Sequence, residues 1–111
     1  MIMPVTIMIA DDHSMVREGL KSLLELDGDI QVIEEAVDGE DCLEKLKTCK
    51  PDVLLLDINM PEMDGFEVCR QIKENVRTRE IPIIFTSALD NPQDIKQGFA
   101  CGGADYITKP F

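Results

Sequence analysis

The sequence predicts one α/β domain built on a doubly wound, five-stranded parallel sheet. Three observations carry that reading. Short apolar runs alternate with helix-period segments along the whole chain. The run Val53-Leu54-Leu55-Leu56 is unbroken, as in a strand covered on both faces. The chain has 111 residues, 44% hydrophobic and 30% charged, so it fits one domain and carries enough apolar surface for a core.

The elements follow in order. Val5 to Ile9 is a short apolar run that ends at Asp11-Asp12, the first strand. Val16, Leu20, Leu23 and Leu24 then recur at i, i+4, i+7 and i+8, one face of a first helix. Gln31 to Val37 contains the second strand. Cys42, Leu43 and Leu46 mark a second helix, which Lys50-Pro51 stops because the residue before proline leaves the helical region. Val53 to Leu56 is the third strand, ending at Asp57. Asp64 and Glu67 have the spacing of a capping box for a third helix, with Cys69, Ile72 and Val76 on its inner face. Ile83-Ile84-Phe85 is the fourth strand. Asn91-Pro92 caps and opens a fourth helix, Ile95 and Phe99 are its apolar pair, and Gly102-Gly103 ends it. Tyr106-Ile107-Thr108 is the fifth strand.

Charge narrows the function. There are 22 acidic and 11 basic residues, a net charge of −11. Phosphate backbones reward clustered Lys and Arg, so this segment predicts no direct nucleic-acid contact, and the same charge argues against an anionic membrane. Surplus carboxylates suit a hard divalent cation. Cys42, Cys49, Cys69 and Cys101 lack the close spacing of a zinc site and read as reduced structural thiols. The start lacks the features of a signal peptide, and no apolar run is long enough to span a bilayer. The expectation is a cytoplasmic protein.

In an open parallel sheet, ligands bind outside the carboxyl ends of the strands. Those ends carry Asp11 and Asp12, Asp57, Ser87 and Lys109. Three carboxylates in one place repel one another and raise each other's pKa, and a divalent cation relieves that repulsion. Lys109 supplies a mobile positive charge for a phosphoryl group, and Ser87 a hydroxyl donor. Asp57 can then act as a carboxylate nucleophile, giving an aspartyl phosphate.

Bland readings stand beside each of these. Asp11-Asp12 alone suits a helix N-terminus, and Lys109 alone a surface lysine. Asp57 could merely end a strand, though an acid after four buried apolar residues is costly without a partner. Together, and in order, they favour the site. Asp64 reads as a helix cap. His13, the only histidine, could be a phosphohistidine or a metal ligand, but reads as an exposed loop residue. Met60 and Met63 read as cover for the loop beside the site.

Asp11-Asp12, the stretch Asp57 to Gly65 (DINMPEMDG), Ser87-Ala88 and Lys109-Pro110-Phe111 resemble the receiver domain of bacterial two-component response regulators. The resemblance runs from about Val5 to Phe111. It implies a flavodoxin-like sheet of strand order 2-1-3-4-5. It implies that Asp57 accepts a phosphoryl group from a sensor histidine kinase or phosphotransfer protein. It implies Mg²⁺, with Mn²⁺ as a substitute, on Asp11, Asp12, Asp57 and the backbone carbonyl of Asn59, with Asp11 acting mainly through water. Lys109 would contact the phosphoryl group, and Lys109-Pro110 would be a cis peptide. Ser87 would be the switch hydroxyl and Tyr106 the switch aromatic. Ser87 is preferred over the adjacent Thr86 because Ala88 then fills the small position that follows, and because the spacing from Pro82 keeps the fourth strand at full length. Neighbouring strand residues face opposite sides, so the two hydroxyls cannot do the same job.

The implied protein is a signalling module, not an enzyme beyond its own phosphorylation and dephosphorylation. A phosphatase working through an aspartyl phosphate would carry its nucleophile after the first strand, in an Asp-x-Asp pattern absent here. A flavin or nucleotide binder would need a Gly-rich phosphate loop where Asp11-Asp12 stands. The alternatives are a phosphorylation-independent interaction module and the receiver part of a hybrid kinase. Asp12 to Leu20 resembles receivers attached to helix-turn-helix domains, whereas Ile84 to Asp90 and Gly103 to Lys109 resemble receivers of hybrid kinases or cyclic-dinucleotide enzymes. Apolar Leu89, opposite Asn59 on the path of attacking water, predicts slow hydrolysis. Residues 1–111 read as one receiver stopped before its final, fifth helix, with an output domain or effector beyond Phe111. Apolar surface left without that helix predicts a tendency to homodimerise.

Overall fold

The computed structural model describes residues 3–87 and 92–109. The chain alternates β1 (Val5–Ala10), α1 (Ser14–Leu24), β2 (Ile30–Ala36), α2 (Gly39–Lys45), β3 (Val53–Asp57), α3 (Gly65–Glu74), β4 (Ile83–Ser87), α4 (Pro92–Ala100) and β5 (Asp105–Thr108). The five strands form one parallel sheet in the order β2-β1-β3-β4-β5. This is the flavodoxin-like arrangement that the alternation and the resemblance predict, with its switch point between β1 and β3.

Strand alternation divides the core into two layers. Met8, Leu54, Leu56, Ile83 and Phe85 face α2, α3 and α4, and pack there with Cys42, Leu46, Phe66, Val68, Cys69 and Ile72. Ile7, Ile9, Val32 and Leu55 face the other way, toward Val16, Leu20 and Leu24 of α1. The unbroken apolar run of β3 thus feeds both layers. Ile84 packs on the α1 side, while Ile107 is 40% exposed.

Several sequence expectations need correction. Leu23 does not join the α1 stripe; it lies on the flank and is 54% exposed. Helix α2 ends at Lys45, well before Lys50-Pro51. Its last turn tightens, with Lys47 N and Thr48 N donating to the carbonyls of Glu44 and Lys45, three residues back. Val76 is not on the inner face of α3: the helix stops at Glu74, Asn75 turns extended, and Val76 is 70% exposed. Phe99 is also half exposed. The α4 residue that meets the core is Gly98, where an added Cβ would stand 2.9 Å from the Phe85 ring. That contact rotates Phe99 outward. Asp64 caps α3 through the Glu67 amide, but the Glu67 carboxylate pairs with Arg70 and does not complete a capping box. Asn91 lies outside the described residues.

All four cysteines are free thiols. Burial pushes Cys42 up to about 12 and Cys69 up to about 11, as expected for inert structural thiols.

Candidate functional site

Strands β1, β3 and β5 end on the same rim because the sheet is parallel. The residues that follow their apolar cores therefore converge. Asp11 is buried just beyond β1, its amide donating to the Ala36 carbonyl of β2 at 3.1 Å. Asp57 is the last residue of β3 and 1% exposed. Lys109, just beyond β5, reaches back to Asp11 Oδ2 at 2.8 Å and stands 3.4 Å from Asp57 Oδ1. The Lys109 amide donates to the Ser87 carbonyl at 2.6 Å, which fixes the lysine backbone to the end of β4.

The loop after β3 is shaped to approach Asp57 closely. Asn59 N donates to Asp57 Oδ1 at 3.2 Å, and Gly65 N donates to the Ile58 carbonyl. A Cβ on Gly65 would stand 2.5 Å from the Asp57 carbonyl oxygen, so only glycine fits there. Glu62 in the same loop has a positive φ of 67°, a conformation that costs a non-glycine residue about 1–2 kcal/mol.

The electrostatics are lopsided. Burial, and then the charge of Asp11, push the Asp57 carboxyl above its usual range; Lys109 and the Asn59 amide oppose this without cancelling it. Burial pulls the Lys109 ammonium down, but the hydrogen bond to Asp11 and the charges of both aspartates win and hold it above its usual value. Asp57 Oδ2 is buried with no hydrogen-bond partner. A buried carboxylate oxygen left unpaired is costly. Asp11, Asp12, His13 and Asp57 each offer one ligand atom, all within 4.8 Å of one another. An unpaired buried oxygen facing surplus negative charge is the environment a hard divalent cation relieves, so the three carboxylates of this group fit one.

The predicted residues thus fall into two sets. Asp11, Asp12, Asp57 and Lys109 come together directly, and Asn59 joins through its backbone. Ser87 and Tyr106 belong to the adjoining strands. Ser87 is opposite Thr108 and Phe85 is opposite Tyr106 in the β4–β5 ladder, so by alternation Ser87 and Tyr106 share the face of the larger core layer. Thr86 is opposite Ile107, on the other face. Pro110, Ala88 and Leu89 lie outside the described residues, and with them the cis-peptide and water-path expectations.

One neighbour, Arg17, was not singled out from the sequence, and a second, His13, lies closer to the acids than an exposed loop residue suggests. Arg17 of α1 donates to the Asp11 carbonyl at 2.6 Å and pairs with Glu35 at 3.2 Å, tying the end of β1 to α1 and β2. His13 is exposed, as expected. Its Nδ1 nevertheless stands 3.3 Å from Asp11 Oδ1 and 3.0 Å from Asp12 Oδ1. The sequence signal for both was proximity: one follows the acidic pair, the other lies in the helix it opens.

Residues 7–111 match the family model of the response regulator receiver domain. The chain belongs to that family. The receiver is 38% identical over 109 residues to the response regulator MprA of Mycolicibacterium vanbaalenii, covering 98% of this chain and 46% of that protein. It spans under half the length of that relative. Among solved structures, it is similar to the receiver domain of the putative response regulator NarL from Mycobacterium tuberculosis, with a TM-score of 0.87 at 35% identity over 97% of this chain and 86% of that one. It is also similar to the receiver domain of a signal transduction histidine kinase from Syntrophus aciditrophicus, with a TM-score of 0.83 at 36% identity over 96% and 80% of the two chains. This receiver is therefore a signalling module of two-component systems, and its acidic pocket of Asp11, Asp12 and Asp57 suits a phosphoacceptor site. No described helix is long and apolar enough to cross a membrane.

Proposed function

We propose that Asp57 is the phosphoacceptor and that Asp11, Asp12, Asp57 and the Asn59 carbonyl hold Mg²⁺ beside it, with Mn²⁺ able to replace it. The observation that carries this is the state of the Asp57 carboxylate. One oxygen is held by Lys109 and the Asn59 amide, while the other is buried without a partner. When bound, Mg²⁺ supplies positive charge that keeps Asp57 ionised and offsets the charge of an incoming phosphoryl group.

The residues divide the remaining work. A carboxylate oxygen of Asp57 bonds to phosphorus as the P–N bond of a kinase or phosphotransfer phosphohistidine breaks, and the electron pair leaves with the imidazole. Lys109 pairs with Asp11 and Asp57 before transfer. Its flexible stem then lets the ammonium turn to the phosphoryl oxygens as charge arrives. Ser87, at the end of β4, donates its hydroxyl to the same group. Drawing Ser87 toward Asp57 opens room on the face it shares with Tyr106, and Tyr106 follows. The phosphoryl group thereby shifts the balance between two arrangements of the β4–β5 edge. Receivers of both a response regulator and a histidine kinase resemble this chain, so both contexts remain readings of its output.

Borohydride reduction of the phosphorylated protein, followed by peptide mass analysis, tests the acceptor. Reduction at position 57 alone supports the proposal; reduction at another aspartate overturns it.

A further inference from the structure

We propose that His13 gives this site a nitrogen donor, so that it also takes a borderline transition ion such as Zn²⁺ through His13 Nδ1 together with the carboxylates of Asp11, Asp12 and Asp57. The inference rests on the metal reading of the acidic pocket and adds to it a residue and an ion class.

The geometry is that of neighbouring ligands. Donors bound at about 2.0–2.1 Å lie roughly 3 Å apart around an octahedral ion, and about 3.3–3.4 Å apart around a tetrahedral one. His13 Nδ1 is 3.0 Å from Asp12 Oδ1 and 3.3 Å from Asp11 Oδ1. All four donors fall within 4.8 Å of one another. Asp57 independently marks the position, because its Oδ2 is buried and unpartnered there. The His13 backbone is held too. Its amide donates to Asp11 Oδ1 at 2.9 Å, and its carbonyl accepts from Arg17 N at 3.1 Å. The ring is 65% exposed, so Nε2 can keep its proton in water while Nδ1 faces the acids. An imidazole nitrogen favours Zn²⁺, Co²⁺ and Ni²⁺ over Mg²⁺, which prefers oxygen. The same spacing also suits a plain imidazole–carboxylate hydrogen bond, and the experiment separates the two.

His13 is the only histidine, so the imidazole nitrogens of ¹⁵N-labelled protein report on it alone. The chain would be titrated with Mg²⁺ and, separately, with Zn²⁺. Mg²⁺ is expected to move the amide signals near Asp11 and Asp57 and leave the ring nitrogens in place. Zn²⁺ is expected to move Nδ1 and fix the proton on Nε2. His13→Gln should weaken Zn²⁺ binding at this pocket by about tenfold or more, the usual loss for a metal-site residue, with Mg²⁺ binding unchanged. If Mg²⁺ moves the amides but Zn²⁺ leaves the ring still, including when thiols alone take up Zn²⁺, the role of His13 is wrong and the Mg²⁺ reading stands. If neither ion moves the amides or the ring, the metal reading itself fails and this inference falls with it.

Discussion

Lys109 binds Asp11 at 2.8 Å across 98 residues of sequence. The contact joins β5 to β1, although β3 and β4 lie between them in the sheet. It holds the ammonium 3.4 Å from Asp57 and makes Lys109 the resident counter-charge of two buried acids.

Lys109→Met should therefore leave Asp11 and Asp57 buried and uncompensated. Removing one partner of a buried charge cluster costs about 3 kcal/mol. Urea unfolding without divalent cations should show that loss, and phosphoryl uptake should fall at least about tenfold with loss of the charge that faces the transferred group. The pH dependence has a definite sign. The folded-state pKa of Lys109 is raised, so its contribution is complete below about 10.5, its ordinary value, and fades as pH climbs through the elevated folded value. The methionine variant should lack that alkaline loss.

Asp57→Asn should have the opposite effect on the metal-free protein. The folded-state pKa of Asp57 is raised, so its ionised form is penalised in the fold. The penalty is absent below 3.8, the ordinary value, grows as pH rises, and is complete above the folded value. At pH 7 the variant should be about 1–2 kcal/mol more stable than the parent, the scale of relieving one unpaired buried polar atom. The gain should vanish near pH 3, measured by thermal unfolding.

Added Mg²⁺ should reverse that order. An ion that binds only the folded state stabilises it by about 2.7 kcal/mol at a hundredfold excess over Kd. The parent should gain this, and Asp57→Asn markedly less. Equal gains in both would place the ion elsewhere.

Much of this was legible in the sequence, for physical reasons. The four-residue apolar run of β3 suits a strand covered on both faces, and the carboxyl-end rule then places Asp57, Asp11 and Lys109 on one rim. Periodicity failed where a helix ended or turned against its neighbours. Val76 fits the α3 pattern, but the helix stops at Glu74; Phe99 fits α4, but Gly98 takes the core position against Phe85. Spacing along a chain cannot show which stripe a tight glycine contact selects. Nor can it show that the His13 ring turns back onto the acids beside it.

Two glycines give a paired check on the loop. Gly65→Ala puts a Cβ 2.5 Å from the Asp57 carbonyl oxygen and 2.9 Å from Ile58 Cα, backbone atoms that cannot yield. It should cost about 3 kcal/mol and weaken Mg²⁺ binding. Gly19→Ala lies in the exposed middle of α1 with nothing within 4 Å. It should add about 0.5–1 kcal/mol and leave phosphorylation unchanged.

The most direct measurement is the intact mass of the protein after incubation with acetyl phosphate, with and without Mg²⁺, beside Asp57→Asn. The account predicts one added phosphoryl group in the parent, dependent on Mg²⁺ and absent from the variant. An adduct that persists in Asp57→Asn, or no adduct in a parent shown to bind Mg²⁺, would contradict it.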